Sequence, residues 1–166
     1  MRKLLITKIK DNEINKYLET RNYIFNRSKM INQKKISRLN HYKWWFENKR
    51  EIFVLNINSS KKIYFWQQRV LDNNKKFYIG GWTSNYRKPN LVYVLYALKW
   101  LDKKNLSNKK NYEWIAVVKK TNKSVLQLTK LIGYFEISKK DKATKIIKKI
   151  FNVSNKNFYL LKKLKS

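Results

Sequence analysis

The stretch between residues 114 and 137 constrains the fold more than any other part of this 166-residue chain. Trp114 to Val118 is a short apolar run rich in aromatic and β-branched residues, which predicts a strand covered on both faces. Apolar residues at helical spacing follow, with Thr121 or Asn122 as the cap, and Gly133 lies where a left-handed helix end is expected. A strand pattern resumes after this glycine. The sequence therefore predicts a strand, a helix and a second strand in close succession.

Patterns elsewhere predict further strands and helices in one domain covering residues 1–166. In chain order, we predict a strand at Leu4–Ile9, a helix capped by Asp11 or Asn12, a helix beginning after Ser37, strands at Glu51–Asn58, Ile63–Val70 and Lys76–Thr83, a helix at Leu91–Lys103 capped by Asn90, a strand at Tyr112–Val118, a helix at Asp141–Phe151 and a closing edge strand at Phe158–Leu161. Hairpin-length turn sequences separate the three middle strands, which predicts an antiparallel meander. The helix after Asn90 is apolar almost all round, as in a helix packed between a sheet and neighbouring segments.

The formal charge of +30 has two explanations. Such an excess favours binding to nucleic acid, anionic membranes or phosphorylated ligands. However, lysine far outnumbers arginine, and the abundant residues share AT-rich codons, so a bias of the genome would produce the same charge. The basic residues are spread along the whole chain rather than collected in a tail. We therefore do not favour a nucleic-acid partner.

Several classes of chemistry are excluded or disfavoured by composition. The chain has no cysteine, which excludes disulfides, thiol catalysis and thiolate metal sites. One histidine and ten scattered carboxylates show no metal-ligand spacing, so we predict no metal. The longest apolar run falls far short of the ~20 residues of a membrane span, and the N-terminus lacks a signal-like apolar segment. We predict a soluble, cytoplasmic protein.

Two stretches resemble one family of enzymes. Asn122, Gly133 and Tyr134, after an apolar strand, match a motif of the GNAT family of acyl-CoA-dependent N-acetyltransferases. Residues 21–48 resemble the N-terminal helices of members that acylate nucleotide-linked amino sugars, including the pseudaminic acid type. The features that carry this second resemblance are Arg21-Asn22, Asn32-Gln33, Ile36-Ser37 and the spacing from His41 to Trp44. Together the resemblance spans about residues 1 to 138.

The resemblance implies a mixed α/β fold with a mostly antiparallel central sheet, helices on both faces, and strands four and five splayed apart. Phe77 to Thr83 and Tyr112 to Val118 are those strands, and their unpaired backbone groups bind acyl-CoA in the family. Gly80 and Gly81 favour close approach of a ligand to the backbone, although two glycines also simply weaken a strand.

Acetyl-CoA is the acyl donor that the resemblance implies. The residues assigned to it are Gly81, Trp82, Thr83, Arg87, Lys88, Asn90, Val117 and Asn122. The family holds the pyrophosphate on a glycine-rich loop before the next helix, where backbone amides are free. Here that interval has no glycine, so Arg87 and Lys88 supply the charge, unless they are ordinary solvated lysine and arginine side chains.

Three residues are candidates for catalysis. Thr129 stands where many family members have a tyrosine that protonates the leaving thiolate. His41 has a suitable intrinsic pKa for a general base, and Glu113 is an alternative acting through water. A lone histidine on a helix bearing two tryptophans is, however, commonly a packing residue.

The acceptor residues follow from the same resemblance, because the N-terminal helices overhang the acceptor cleft in this family. Arg21 and Asn22 are assigned to the anionic acceptor, with a structural role as the alternative. Trp66 and Arg69 on a predicted strand suit a sugar or nucleobase, although strand aromatics are usually core.

The predicted function is transfer of an acetyl group from acetyl-CoA to a primary amine of a nucleotide-linked amino sugar, by a monomer or homodimer. The alternative is a catalytically degenerate protein of the same fold that binds RNA or another polyanion.

Overall fold

The computed structural model describes residues 4–105, 112–153 and 156–163, and these divide into two compact units. Unit 1 comprises Met1–Gln68 and Gly80–Ala97, and unit 2 comprises Arg69–Ile79 and Leu98–Ser166. The prediction of a single domain stays a prediction.

Seven strands of the described residues form one sheet in the order β1-β2-β3-β4-β5-β7-β6. The strands are β1 (Leu5–Lys8), β2 (Glu51–Asn56), β3 (Lys62–Asp72), β4 (Lys75–Ser84), β5 (Glu113–Lys119), β6 (Tyr134–Glu136) and β7 (Phe158–Lys163). β1 pairs antiparallel with β2, β2 with β3, and β7 with both β5 and β6. β4 and β5 run parallel. The predicted mixed, mostly antiparallel sheet is confirmed.

Six α-helices of the described residues flank this sheet, and they match the predicted helices closely. They are α1 (Ile14–Asn22), α2 (Ile24–Arg27), α3 (Arg38–Glu47), α4 (Leu91–Lys104), α5 (Lys123–Leu131) and α6 (Lys142–Phe151). The predicted caps Asn90 and Asn122 each accept a backbone N–H of the first turn with the side-chain oxygen, and so does Ser37, where a helix was predicted to open. None of these helices is long and apolar enough to cross a lipid bilayer.

Two tight turns follow from residue types that tolerate a left-handed backbone. Asn73 and Asn74 join β3 to β4 with φ values of 45° and 65°, as a two-residue hairpin turn requires. Gly133 ends α5 with a φ of 90°, which a residue with a Cβ rarely adopts. Both places were predicted as chain reversals from these residues.

The core of unit 1 is an aromatic cluster beneath the first three strands. Tyr17 from α1 packs against Ile52, Val54 and Tyr64, and its ring centroid lies 5.4 Å from that of Tyr64. The partly buried residues Ile9, Trp44, Trp45 and Trp66 pack around this centre. Alternate residues of each strand point to one face, so three short strands and two helices bring these rings together.

Three details of the prediction are wrong. Neither Asp11 nor Asn12 caps α1, because a short 3₁₀-helix (Asp11–Glu13) precedes it and the Asp11 carboxylate accepts from Trp45 Nε1 instead. β7 is not an edge strand, since it lies between β5 and β6. Helix α4 is not covered all round: Val94 is buried, whereas the side chain of Val92 is 67% exposed.

Candidate active site

The parallel pairing of β4 with β5 is short. Phe77 pairs with Glu113 and Tyr78 with Trp114, and in the described residues the pairing goes no further. By contrast, β5 pairs with β7 over six residues, from Trp114 to Lys119. β4 itself continues to Ser84. The predicted parting of strands four and five is therefore present as a loss of hydrogen-bonded partners beyond Tyr78 and Trp114.

The two strand glycines permit close approach of β3. A Cβ built at Gly80 would lie 2.8 Å from the carbonyl oxygen of Trp66, and one at Gly81 would lie 3.1 Å from Trp66 Nε1. Real Cβ atoms do not approach a backbone oxygen as closely as the first distance. Glycine is therefore needed at these positions because a side chain would clash with Trp66. The backbone of Gly81 remains a candidate for contact with acyl-CoA.

Thr83 is the cofactor candidate in β4 with the clearest structural signal. Its side chain is buried, and Oγ1 has no hydrogen-bond partner among the described residues. A buried hydroxyl without a partner costs free energy, which a bound polar group would offset. Trp82 beside it is half-buried.

The segment after β4 departs from a glycine-rich phosphate loop in its hydrogen bonds as well as in its sequence. Asn85 Oδ1 accepts from the backbone of Lys62, and its Nδ2 donates to the carbonyl of Ser60. The Asn90 side chain accepts from the amide of Val92 at 2.9 Å, so one amide of the α4 N-terminus is already used. Arg87 and Lys88 are exposed and available for an anion.

In unit 2, the residues of the predicted motif have structural roles in α5. Asn122 Oδ1 accepts from the amide of Val125, so its side chain caps the helix. The hydroxyl of Thr129 is buried and donates to the carbonyl of Leu126 at 2.8 Å. A hydroxyl whose proton is held by its own helix is poorly placed to protonate a thiolate. Val117 is half-buried on β5.

The structure places His41 in the aromatic core of unit 1, with 1% of its surface exposed. Its ring stacks on Trp44 at 5.3 Å between centroids, and Nε2 lies 3.2 Å from the carbonyl oxygen of Ile14. Burial lowers the pKa of His41, the Ile14 hydrogen bond opposes that shift, and the charge of Arg21 adds to it. A general base must reach the acceptor amine. The geometry therefore favours the packing role for His41 over the catalytic one.

Glu113 lies at the paired end of β4 and β5, opposite Phe77. Its carboxylate is 3.1 Å from the ammonium of Lys162 and lines a cavity of about 240 Å³ together with Lys75, Asp141 and Lys142. An ion pair of this kind holds the carboxylate in place. Glu113 is thus a structural partner of Lys162 at the closed end of the strand pair.

The acceptor candidates of α1 fasten the segment before α3. Asn22 both donates to the carbonyl of Ile36 and accepts from its amide. Arg21 Nη2 donates to the carbonyl of Asn32 at 2.7 Å, and Arg27 Nη1 donates to that of Gln33. Asn22 also lines a cavity of about 510 Å³ with residues of α1 and the start of α3. The structural alternative is therefore realised for Asn22, whereas Arg21 still has an unused nitrogen, Nη1.

Trp66 and Arg69, which were assigned to a sugar or nucleobase, lie on β3 and make separate contacts within units 1 and 2. The guanidinium of Arg50 lies 3.7 Å from the centroid of the Trp66 ring and occupies that face. Arg69 Nε donates to the hydroxyl of Tyr78 at 3.0 Å within unit 2.

Sequence reasoning missed Arg50, which lies at the centre of the unit 1 cluster between Trp66 and Trp44. A signal existed. Arginine is rare in this chain while lysine is abundant, and the planar guanidinium stacks on aromatic rings as an ammonium does not. An arginine directly after a helix carrying Trp44 and Trp45 could therefore have been singled out.

Comparison with solved structures identifies the fold. The chain superposes on a ribosomal-protein-alanine N-acetyltransferase from Brucella melitensis with a TM-score of 0.70 and 13% identity, covering 98% of this chain and 100% of the other. It superposes equally well, at 0.70 and 11% identity, on the yncA protein of Salmonella typhimurium solved with its cofactor acetyl-CoA, covering 99% and 96% of the two chains. For a spermidine N-acetyltransferase from Vibrio cholerae, in complex with CoA and spermine, the TM-score is 0.69 with 8% identity and coverage of 96% and 92%.

These likenesses define the class of fold: this chain shares the fold of N-acetyltransferases over 98% or more of its length. At identities this low, the likeness concerns the fold alone. No model of a known protein family matches the sequence. No curated protein matches it either.

Proposed function

We propose that this protein is an N-acetyltransferase that moves an acetyl group from acetyl-CoA to a primary amine. The observation that carries the proposal is the two-residue parallel pairing of β4 with β5, within a fold shared over the full length with acetyltransferases. Backbone groups of β4 beyond Tyr78 lose β5 as a partner, and such groups bind a thioester arm readily because they already need hydrogen bonds. A fold by itself hosts many activities, so the local feature is needed.

Unit 1 supplies the side chains that we assign to acetyl-CoA. The orphaned hydroxyl of Thr83 and the backbone of Gly81 and Trp82 suit the pantetheine arm. Exposed Arg87 and Lys88 suit the pyrophosphate, next to the α4 N-terminus capped by Asn90. Because one helix amide is already used by this cap, side-chain charge replaces part of the backbone cradle. Val117 and Asn122 of unit 2 stay predictions from sequence.

The chemistry needs little from the protein beyond positioning. The neutral amine attacks the thioester carbonyl, the C–N bond forms as the C–S bond breaks, the amine proton passes to water, and the thiolate leaves. With a thiol pKa of about 8.5, the thiolate leaves without strong acid help. This chemistry does not need Thr129, whose hydroxyl donates to a carbonyl of its own helix, or the buried His41. The chain has no cysteine for a covalent acyl-enzyme, so transfer is direct.

For the acceptor we propose a nucleotide-linked amino sugar, on the basis of the resemblance carried by residues 21–48. The cytoplasm is the proposed location, because acetyl-CoA is available there.

The test measures binding and turnover separately. We expect acetyl-CoA at one hundred times its dissociation constant to stabilise the protein by about 2.7 kcal/mol, measured by thermal melting. Release of free thiol is then followed with amino sugars, peptides and polyamines. Arg87→Met should weaken the stabilisation by acetyl-CoA, whereas Lys43→Met, an exposed lysine of α3, should leave it unchanged. Absence of both binding and turnover would overturn the proposal, and stabilisation by RNA that disappears at high salt would favour the polyanion-binding alternative.

A further inference from the structure

Two partly buried arginines of unit 1, Arg21 and Arg50, have no acidic partner in the part of the chain that the structure describes. Four ion pairs between side chains of the described residues use lysine: Lys62–Glu13, Lys149–Asp72, Lys162–Glu113 and Lys163–Asp102. Neither arginine takes part in one within that part of the chain. Removing a guanidinium from water without a counter-charge costs free energy. A bound anion near both arginines would supply the counter-charge that they lack.

Aromatic rings hold the Arg50 guanidinium in position without neutralising it. The guanidinium carbon lies 3.7 Å from the ring centroid of Trp66 and 5.1 Å from that of Trp44. Nε donates a long hydrogen bond of 3.4 Å to Gln68. Cation–π contact offsets part of the desolvation cost, but the rings carry no net charge. The planar fork of Arg50 is thus preorganised for an oxyanion.

Arg21 contributes a second donor that is positioned but unused. Its Nη2 donates to the carbonyl of Asn32 at 2.7 Å, which fixes the side chain. Its Nη1 is buried and has no hydrogen-bond partner among the described residues. Burial lowers the pKa of Arg21, and the charges of Arg27 and Arg50 lower it further, which places Arg50 near Arg21. A guanidinium nevertheless stays protonated at neutral pH.

Tyr17 adds a neutral hydroxyl, which forms a side-chain hydrogen bond with Arg50. Burial raises the pKa of Tyr17, while the charges of Arg50 and Arg21 oppose that rise. The hydroxyl therefore stays protonated at neutral pH and can donate. The hydroxyl of Tyr17 and the two guanidinium groups therefore lie near one another. All three can donate hydrogen bonds to an anion.

We propose that Tyr17, Arg21 and Arg50 bind an oxyanion, a carboxylate or a phosphate, carried by the amine acceptor. That the oxyanion belongs to an amine acceptor rests on the proposed function. Binding of the oxyanion itself does not depend on turnover. Acceptors that carry both an amine and an anionic group are then preferred over plain amines and polyamines.

The first experiment measures binding without catalysis. Thermal melts of the full chain are recorded in inorganic phosphate and in sodium chloride of equal ionic strength. We expect phosphate to raise the melting temperature of the wild type and of Lys43→Met, but not of Arg50→Met. If Arg50→Met does not fold, Arg21→Met serves instead, since Arg21 is only partly buried. Equal stabilisation of wild type and either arginine variant by phosphate overturns the site.

The second experiment compares matched amines. Glucosamine 6-phosphate is compared with glucosamine, and β-alanine with propylamine, by thiol release. Charge-assisted hydrogen bonds predict a kcat/KM at least about tenfold higher for the anionic member of at least one pair. Arg50→Met should bring that ratio close to one, whereas Lys43→Met should leave the ratio unchanged. Equal rates within both pairs would overturn the inference and leave the acetyltransferase function intact.

The two failures are distinguishable. If no amine of any kind is acetylated but phosphate stabilises only proteins with intact Arg21 and Arg50, the oxyanion site stands and the proposed function fails.

Discussion

The two units of this chain differ in how their cations are accommodated. In unit 2, Lys149, Lys162 and Lys163 each contact a carboxylate within 3.1 Å. In unit 1, Lys62 likewise contacts Glu13, but Arg21 and Arg50 contact aromatic rings and a backbone carbonyl instead. The chain has only 10 acidic residues for 40 basic ones, so most basic residues cannot have a carboxylate partner. In unit 2, carboxylates neutralise the charges of these lysines. In unit 1, the two arginines without a counter-charge indicate a binding place for an anionic ligand.

The comparison is tested most strongly by removing an aromatic ring from unit 1. Tyr64 is 1% exposed and packs edge-on against Tyr17. We expect Tyr64→Ala to lower the free energy of unfolding by about 3 to 5 kcal/mol, because the cavity adds to the lost burial. Urea denaturation measures this loss. Tyr64→Phe keeps the ring and should cost less than about 1 kcal/mol, and a comparable loss in both variants would show that ring packing is not the source.

A smaller effect is expected from breaking an ion pair of unit 2. Lys163 Nζ lies 2.5 Å from Asp102 Oδ2, and the two side chains are 10% and 23% exposed. Asp102→Asn leaves the ammonium partly buried without its counter-charge, so we expect a loss of about 1 to 2 kcal/mol. Urea denaturation at low and at high salt provides the measurement. A variant as stable as the wild type would mean that unit 2 does not depend on this charge pairing.

His41 should make the stability of unit 1 depend on pH. Its pKa is lowered by burial from about 6.5, so below that pH the unfolded chain binds more protons than the folded one. Stability is therefore full at higher pH and falls as the pH drops through about 6.5, by up to about 0.7 kcal/mol between pH 7 and 6 if the folded imidazole stays neutral.

The measurement compares chemical denaturation of the wild type and His41→Gln at several pH values between about 5 and 8. The variant lacks the titrating ring, so its stability should change less over this range. Parallel curves for the two proteins would contradict the assignment.

The smallest effect is expected at the surface of unit 2. The side chain of Lys149 is 71% exposed where it contacts Asp72 at 2.6 Å. Solvent screens such a pair, so we expect Lys149→Ala to change the free energy of unfolding by at most about 1 kcal/mol. A larger loss, found by urea denaturation, would show that exposure does not rank the ion pairs of this unit.

Most of the secondary structure could be predicted because its signals are local. Ser37, Asn90, Asn122 and Asp141 cap helices at the predicted places, and Asn73-Asn74 and Gly133 reverse the chain. A capping oxygen or a left-handed glycine acts within a few residues, so the local sequence is enough to predict these features. The error at Asp11 has the same logic: its carboxylate has a partner 34 positions away, Trp45, that competes with the local cap.

The candidate site was predicted less well, because its residues are defined by partners far apart in the sequence. His41 and Thr129 have suitable functional groups, but burial and hydrogen bonds to Ile14 and Leu126 engage them. Arg50 has no motif around it, and its place beside Trp66 follows from the pairing of β2 with β3.

The sequence alone determined the succession of strands and helices, the turns, and the absence of thiol chemistry, because these depend on residue type and on neighbours a few positions away. The tertiary structure decided that β7 lies between β5 and β6, that β4 and β5 pair over two residues, and that Arg50 lies between two tryptophans. Strand order and burial depend on which distant segments pack together, and no local pattern encodes that choice.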